Sequence, residues 1–564
     1  MSSSSGDLIR VTPLLGGRED GGVCCLLELG GARILLDCGC TITTKQADIL
    51  SIAQSLAQGG GVDCVLLSHA DVHHMGALPI MFGAQGLKAV PVICTLPVAK
   101  FGQMLLYDMC LNMEMEGTIV DDNSTRQNQL FSLDDIDRCL SKIVTVRYSQ
   151  NIPIPDSASS SHGQRQIHCC AVGAGRTIGG AVWRIRHGAT EILYMMDINL
   201  RKEIVLDGAA LDLLPSAPAL VIVEGGCASR AEIKFSTAAA KKRQKGEDTT
   251  GIVEKVIDTL RVRGSALIPC ESGSRLLELL QILGKHWIDH RITIDHLVFL
   301  SPMAHNILEF ARSQIEWMND QLSKQFIQFG KLNPFELPPI KLATSLRELE
   351  KFYPGPKVVL ATDASLSCGM GKELLLRWGG NPLCRVILTD ASDAGSLAQD
   401  LRSQLNSPPI VASVYRPQRV ELVGEELAVY QREQDRKRRE REEGVQRRKR
   451  EEELAELTAA GKDDQDDDAD EWDGEGAETS GESANEASGS SSSSSTSSAA
   501  ESAAKRQKTQ QGSKKSAIAR FAAPAFPMFQ TRDTVMPMDE YGASIADLTL
   551  MRPGEEVALP VGPR

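Results

Sequence analysis

Over residues 8 to 38 apolar positions come in short runs of strand length, and Gly30-Gly31 falls between CCLLEL and ARILLDCG, which predicts a hairpin. A helix is predicted over Thr44 to Gln58 and a short buried strand over Val65 to Leu67, with alternating strands and helices continuing to Arg147. Ser132 stands three residues before Asp135, the spacing of a capping box at a helix start. The Ser-rich piece 157 to 164 reads as a loop, and residues 166 to 197 read as three strands separated by glycine turns.

From about residue 208 the pattern changes to repeated strand and helix units, which predicts a second α/β domain built on a parallel sheet. Its longest helix is predicted over 304 to 326, because Ile307, Ala311, Ile315, Met318 and Leu322 recur at three- and four-residue spacing and mark one buried face. ESGSRLLELLQIL has the layout of a nucleotide-binding turn but too few glycines for a phosphate loop. Periodicity then fails. Residues 427 to 458 are a run of Arg, Lys and Glu whose opposite charges at four-residue spacing could hold a solvated helix. An Asp/Glu block (463 to 475) and a Ser/Ala tract (483 to 504) lack the apolar content to fold, so 427 to 515 is expected to be a disordered linker acting as a spacer. Beyond it Phe521, Phe526, Phe529 and Tyr541 recur with three prolines, as in a segment that docks on a partner.

With 564 residues, 42% apolar and 24% charged, the chain can form two or more packed domains. No run of about eighteen apolar residues exists to span a bilayer. The start, MSSSSGDLIR, lacks the basic and apolar regions of a secretory signal, so a soluble intracellular protein with no membrane association is expected. The fourteen cysteines form no CxxC pair and read as buried reduced thiols. A net charge of −13 argues against a polyanion-binding surface over the whole molecule but leaves room for a local basic face.

Candidate chemistry is concentrated in VDCVLLSHADVHHMGALP, Val62 to Pro79. His69, Asp71, His73 and His74 place four potential metal ligands at the end of a predicted strand, where α/β proteins put their sites. Asp37 closes the LLDCG strand, and an ordinary turn aspartate would look the same.

This stretch resembles the HxHxDH signature of metallo-β-lactamase-fold hydrolases, with the GALP of their RNA-processing branch. His69 and His74 match that signature, whereas Asp71 stands for its second His and His73 for the Asp that helps bind metal and activate water. Asp37 matches the strand-end Asp that supports the metal site in the family. Asp197, ending YMMD, matches its metal-bridging carboxylate, but Arg176 in GAGRTIGG occupies the place of a metal-binding His. An α/β domain inserted after such a unit is the arrangement of the β-CASP nucleases; Glu224 matches their first acidic motif and Asp400 replaces a motif His. With the charged linker, EFARSQIEWM and PMF…DEYG, the chain is similar to the nuclease-dead β-CASP subunits of the pre-mRNA 3′-end machinery.

The resemblance implies an α/β fold: a metallo-β-lactamase αββα sandwich with an inserted β-CASP domain and a disordered charged linker. Residues 1–207 would be the N-terminal part of the sandwich, 208–398 the β-CASP domain, 399–426 a return segment, 427–515 the linker, 516–545 a partner-docking motif and 546–564 a tail. Family members go on to finish the sandwich and add a C-terminal domain, so a sequence stopping at Arg564 is expected to leave it incomplete.

A two-metal hydrolase needs about five to seven His and Asp ligands, and the altered positions 71, 73, 176 and 400 remove several of them. The resemblance therefore implies a non-catalytic, nuclear scaffold without a cofactor. Its partners would be an active β-CASP endonuclease subunit, the scaffold protein of the cleavage module and the subunits that read the polyadenylation signal, together with pre-mRNA in the assembled complex. Phe521, Phe526, Phe529 and Tyr541 would anchor the signal-reading subunits. KKRQK (241 to 245) and KRQK (505 to 508) suit nuclear import or are simply solvated lysines. Two alternatives stay open: a single ion held by His69, Asp71 and His74, and an active RNA or DNA hydrolase with rearranged ligands. The family geometry would aim Arg176 into the metal cavity, facing Asp37, Asp71 and Asp197 in place of the ion; otherwise it turns to solvent.

Overall fold

The computed structural model describes residues 9–224 apart from 18–20, 42–43, 84–86, 88–89, 117, 122–123, 128–129 and 155–166. It also describes 250–421 apart from 274, 293–295, 330–332, 390–392 and 405–412, scattered positions between 424 and 446, and the strand 549–558. Most of the expected linker, all four aromatic anchors (Phe521, Phe526, Phe529 and Tyr541) and both basic clusters lie outside the described residues. Residues 1–419 with 550–564 form one compact unit and 420–549 another; the site lies in the first.

Six strands form the first sheet in the order Arg10–Leu15, Cys24–Leu29, Ala32–Leu36, Cys64–Leu66, Val92–Thr95 and Ile143–Val146. The first three are antiparallel and the rest parallel. Leu29 pairs with Ala32 across Gly30-Gly31, both at positive φ, which is the turn whose twist matches the strands it joins. The helix Leu96–Glu116 packs on the last two strands, and Ser132 and Asp135 form the reciprocal capping box that starts Leu133–Leu140.

The second sheet runs Leu220–Val223, Thr190–Met195, Ala181–His187, Ile167–Gly173, Asn151–Pro153. Alternate residues from the two sheets meet in one core: Leu27, Ile34, Leu36 and Leu66 from the first, with Ala171, Trp183, Ile185 and Tyr194 from the second. This interlocking of two period-two patterns fixes the strand ends on which the candidate residues sit.

A third sheet, Ile340–Ala343, His296–Leu300, Lys357–Ala361, Ala266–Pro269 and Arg385–Val386, is parallel throughout, with helices between its strands. The first two sheets and the third are the two lobes of this unit.

Two expectations change here. The lobe boundary is not at 208, because Leu220–Val223 pairs with Thr190–Met195: Leu220 and Ile222 pack on the inter-sheet core while Val221 and Val223 point outward. Nor is 304 to 326 one helix. It divides into Ala304–Ser313, a single 3₁₀ turn Ile315–Trp317, and Asp320–Phe329. Asn319 fixes the second start: its side-chain N–H groups donate to the Glu203 and Ile204 carbonyls and its oxygen accepts from the Leu322 backbone N–H, so it caps Asp320–Phe329. All five stripe residues are nevertheless buried.

Candidate functional site

Past the strand Cys64–Leu66 the chain runs through the buried Ser68 and His69 into the short helix Val72–Met75. Asp71 caps that helix through Oδ1, which accepts from the His74 backbone N–H at 3.0 Å and from His74 Nδ1 at 2.6 Å. The rings of His69 and His74 lie 4.9 Å apart between centroids, and the buried Nε2 atom of each has no hydrogen-bond partner. Two glycines permit this approach. A Cβ at Gly39 would stand 1.5 Å from the His73 carbonyl oxygen, and one at Gly180, in GAGRTIGG, 2.8 Å from His69 Cδ2.

Asp37 follows the strand Ala32–Leu36 at φ 56°, fully buried. Its carboxylate accepts from Ser68 N and Ser68 Oγ, each at 2.6 Å, and from the Tyr194 hydroxyl at 2.7 Å. Since the Ser68 hydroxyl donates to Asp37, it accepts from His69 Nδ1 at 2.9 Å, which assigns the proton to Nδ1 and leaves Nε2 with its lone pair. Burial, reinforced by His74, lowers His69 to about 4. Burial also opposes charge on His74, but Asp71 and Asp37 outweigh it and raise that imidazole to about 10. Asp71, despite burial, is held well below the usual carboxylate range by His74, whereas burial raises Asp37. At neutral pH the site thus holds one neutral and one charged imidazole side by side.

Arg176 lies against Asp197, Nε to Oδ2 at 3.2 Å, both side chains about one-fifth exposed, and the guanidinium holds Asp197 below its ordinary range against the pull of burial. The guanidinium does reach the site, where Asp37 accepts from Ser68 and Tyr194, Asp71 from His74, and Asp197 from Arg176. Replacing Arg176 with Ala is expected to cost about 1 to 2 kcal/mol, between an exposed and a buried pair. Urea denaturation checks this, and an unchanged midpoint would mean that the pair adds nothing.

His73 lies with its Nε2 3.2 Å from Asp393 Oδ1. Asp400 does not join the site. Ala398 and Leu401 are the buried positions of the helix Leu397–Ser403, and this phase turns Asp400 to solvent. Glu224 is half-buried just after Leu220–Val223. Sequence reading missed Ser68, Tyr194 and Asp393. Ser68 could have been noticed beside His69, and Tyr194 by alternation within YMMD, whereas nothing local marks Asp393.

The fold's metal pair does not fit these residues. Among the described residues no group of three His, Cys, Asp or Glu is placed to hold a metal ion. In the trio His69, Asp71 and His74, Asp71 Oδ1 faces His74 Nδ1, and His74 would first have to release a proton that it holds up to about pH 10. Arg176, at the place where the resemblance implies a metal-binding His, is a cation paired with Asp197.

Comparison with known proteins gives two family matches: a metallo-beta-lactamase superfamily domain over residues 26–221 and a Beta-Casp domain over 276–401. The "probable cleavage and polyadenylation specificity factor subunit 2" of Drosophila melanogaster is 33% identical over 76% of this chain and 53% of that protein. The corresponding subunit of Oryza sativa subsp. japonica is also 33% identical, over 77% of this chain and 54% of its own length, and that of Caenorhabditis elegans 31%, over 75% and 48%. The chain spans about half the length of the curated relatives it matches. A solved protein of unknown function from Enterococcus faecalis V583 covers 64% of this chain, and this chain 78% of it, at 12% identity with a TM-score of 0.29, too low to bear on the fold.

Proposed function

Because the chain belongs to the cleavage and polyadenylation specificity factor subunit 2 family, with its metallo-β-lactamase and β-CASP domains, we propose that it serves mRNA 3′-end processing as a non-catalytic scaffold. The observation that carries this reading is the Arg176–Asp197 ion pair. A bridging carboxylate engaged by a fixed guanidinium is a poor ligand, and a permanently charged side chain coordinates nothing. His73 adds to this, since an imidazole turned toward Asp393 supplies no carboxylate for activating water.

In this reading the protein pairs in the nucleus with an active β-CASP endonuclease and the scaffold protein of the cleavage module, and links them to the polyadenylation-signal-recognition subunits on pre-mRNA. Purified protein incubated with RNA and zinc or manganese is expected to leave the RNA intact. Cleavage that disappears in His69→Ala and Asp197→Ala would overturn the reading. It would favour the rearranged hydrolase, for which the observation is the pair of unpartnered imidazole Nε2 atoms.

The same proposal places docking of the signal-recognition subunits on 516–545. Aromatic anchors that fill partner pockets typically carry about 2 kcal/mol or more each. Phe526→Ala with Phe529→Ala is expected to weaken that interaction about a thousandfold while the endonuclease stays bound. Co-purification of both partners at parental yield would refute the assignment.

A further inference from the structure

Asp108 is a carboxylate of the first lobe buried in the mouth of the third sheet. It lies on the helix Leu96–Glu116, is 3% exposed, and takes Ser301 Oγ on Oδ1 at 2.6 Å and Ser272 Oγ on Oδ2 at 2.9 Å. The side chain of Thr362 donates to it as well. These hydroxyls belong to the second lobe and follow the carboxyl ends of three adjacent parallel strands: Ser272 after Ala266–Pro269, Ser301 after His296–Leu300, Thr362 after Lys357–Ala361. Open parallel sheets bind ligands outside the carboxyl ends of their strands. Here the other lobe fills that place with its own side chain.

The contact continues on both sides. One turn along the helix, Asn112 Nδ2 donates to Thr362 Oγ1 at 3.4 Å, and a Cβ at Gly369 would fall 2.4 Å from Asn112 Oδ1. Toward the histidines, Glu271 Oε1 accepts from the Val72 backbone N–H at 2.9 Å, and a Cβ at Gly273 would fall 2.4 Å from the Ala70 carbonyl oxygen. The residues flanking His69 and Asp71 are thus pressed against the second lobe beside the buried carboxylate. Burial pushes Asp108 up to about 6 while the three hydroxyls oppose it, so at neutral pH it is an anion that depends on those donors.

We propose that Asp108 is a built-in ligand of the third sheet's mouth, a latch that holds the two lobes shut over His69 and His74. Its three acceptor contacts reach three separate strand ends, so releasing one side chain frees the junction at several points together. A buried carboxylate that loses its donors is strongly disfavoured, which makes the latch cooperative.

Carbethoxylation by diethyl pyrocarbonate, read residue by residue by mass spectrometry, tests this on the full chain. His69 is the reporter, the partly exposed His73 and exposed His290 are reactive controls, and the buried His187 of the second sheet reports general unfolding. In the parent His69 and His187 should be protected. In Asp108→Ala His69 should react at least tenfold faster with His187 still protected, and Ser272→Ala with Ser301→Ala, which removes two donors at little change in volume, should give a severalfold rise. The inference is overturned if His69 stays protected in the serine double variant. It is equally overturned if His69 and His187 open by the same factor, which would make Asp108 an ordinary residue of the folded core.

Discussion

Asp71→Ala is expected to destabilise the first lobe by about 3 to 5 kcal/mol, because it strands a buried His74 whose charge is sustained by that carboxylate. The same change removes the acceptor that caps Val72–Met75. Asp71→Asn separates the two effects: an amide oxygen can still accept from the His74 backbone and ring N–H groups, so about half of the loss should return. The effect also has a pH signature. His74 is raised from 6.5 to about 10 by folding, so its contribution is complete below pH 6.5 and lost as pH rises toward 10. Asp71 is lowered from 3.8, so its contribution is complete above that value and fails in acid. The gap between parent and Ala variant, measured by urea denaturation across pH, should be widest between pH 3.8 and 6.5 and shrink toward 10. A gap below about 1 kcal/mol throughout would mean that the pair does not support the lobe.

Trp183→Ala is expected to cost a further 3 to 5 kcal/mol, about what large-to-small changes of a fully buried aromatic remove. Trp183 sits at the centre of the core between the two sheets, and its Nε1–H donates at 3.0 Å to the carbonyl of Leu67, two residues before His69. The substitution therefore opens a cavity and leaves the backbone that carries the histidine loop without its donor. Trp183→Phe keeps most of the volume and loses the hydrogen bond, so it should cost about 1 to 2 kcal/mol. Denaturant midpoints for the two variants check the ordering, and equal losses would show that the Leu67 anchor rather than packing dominates.

Glycine turns and alternating apolar runs were legible because they are local: the Gly30-Gly31 hairpin, the Ser132 capping box and the three strands between 166 and 197 depend on residues a few positions apart. The buried stripe from Ile307 to Leu322 was legible for the same reason. Its helix was not continuous, and the carbonyls that hold Asn319 at the second helix start lie more than a hundred residues away. The matching and altered site positions, His69, His74, Asp37, Asp197 and Arg176 among them, could be named from the family resemblance.

Which acid each base would meet could not. Asp37 draws its donors from Ser68 and Tyr194, 31 and 157 residues on, and His73 finds Asp393 from the second lobe. Asp400 was named from a motif, but two apolar neighbours set the rotation of its helix and turned it outward. Asp108 stands in the apolar run LLYDMCL, but its partners could not be read there, since they come from three strand ends of the other lobe that close around it. Sequence alone settled the residue types and local elements, which short-range sterics and periodicity dictate. Only the tertiary structure decided the charge partners, because burial brings distant groups together and makes each unpaired polar atom costly enough to select its neighbour.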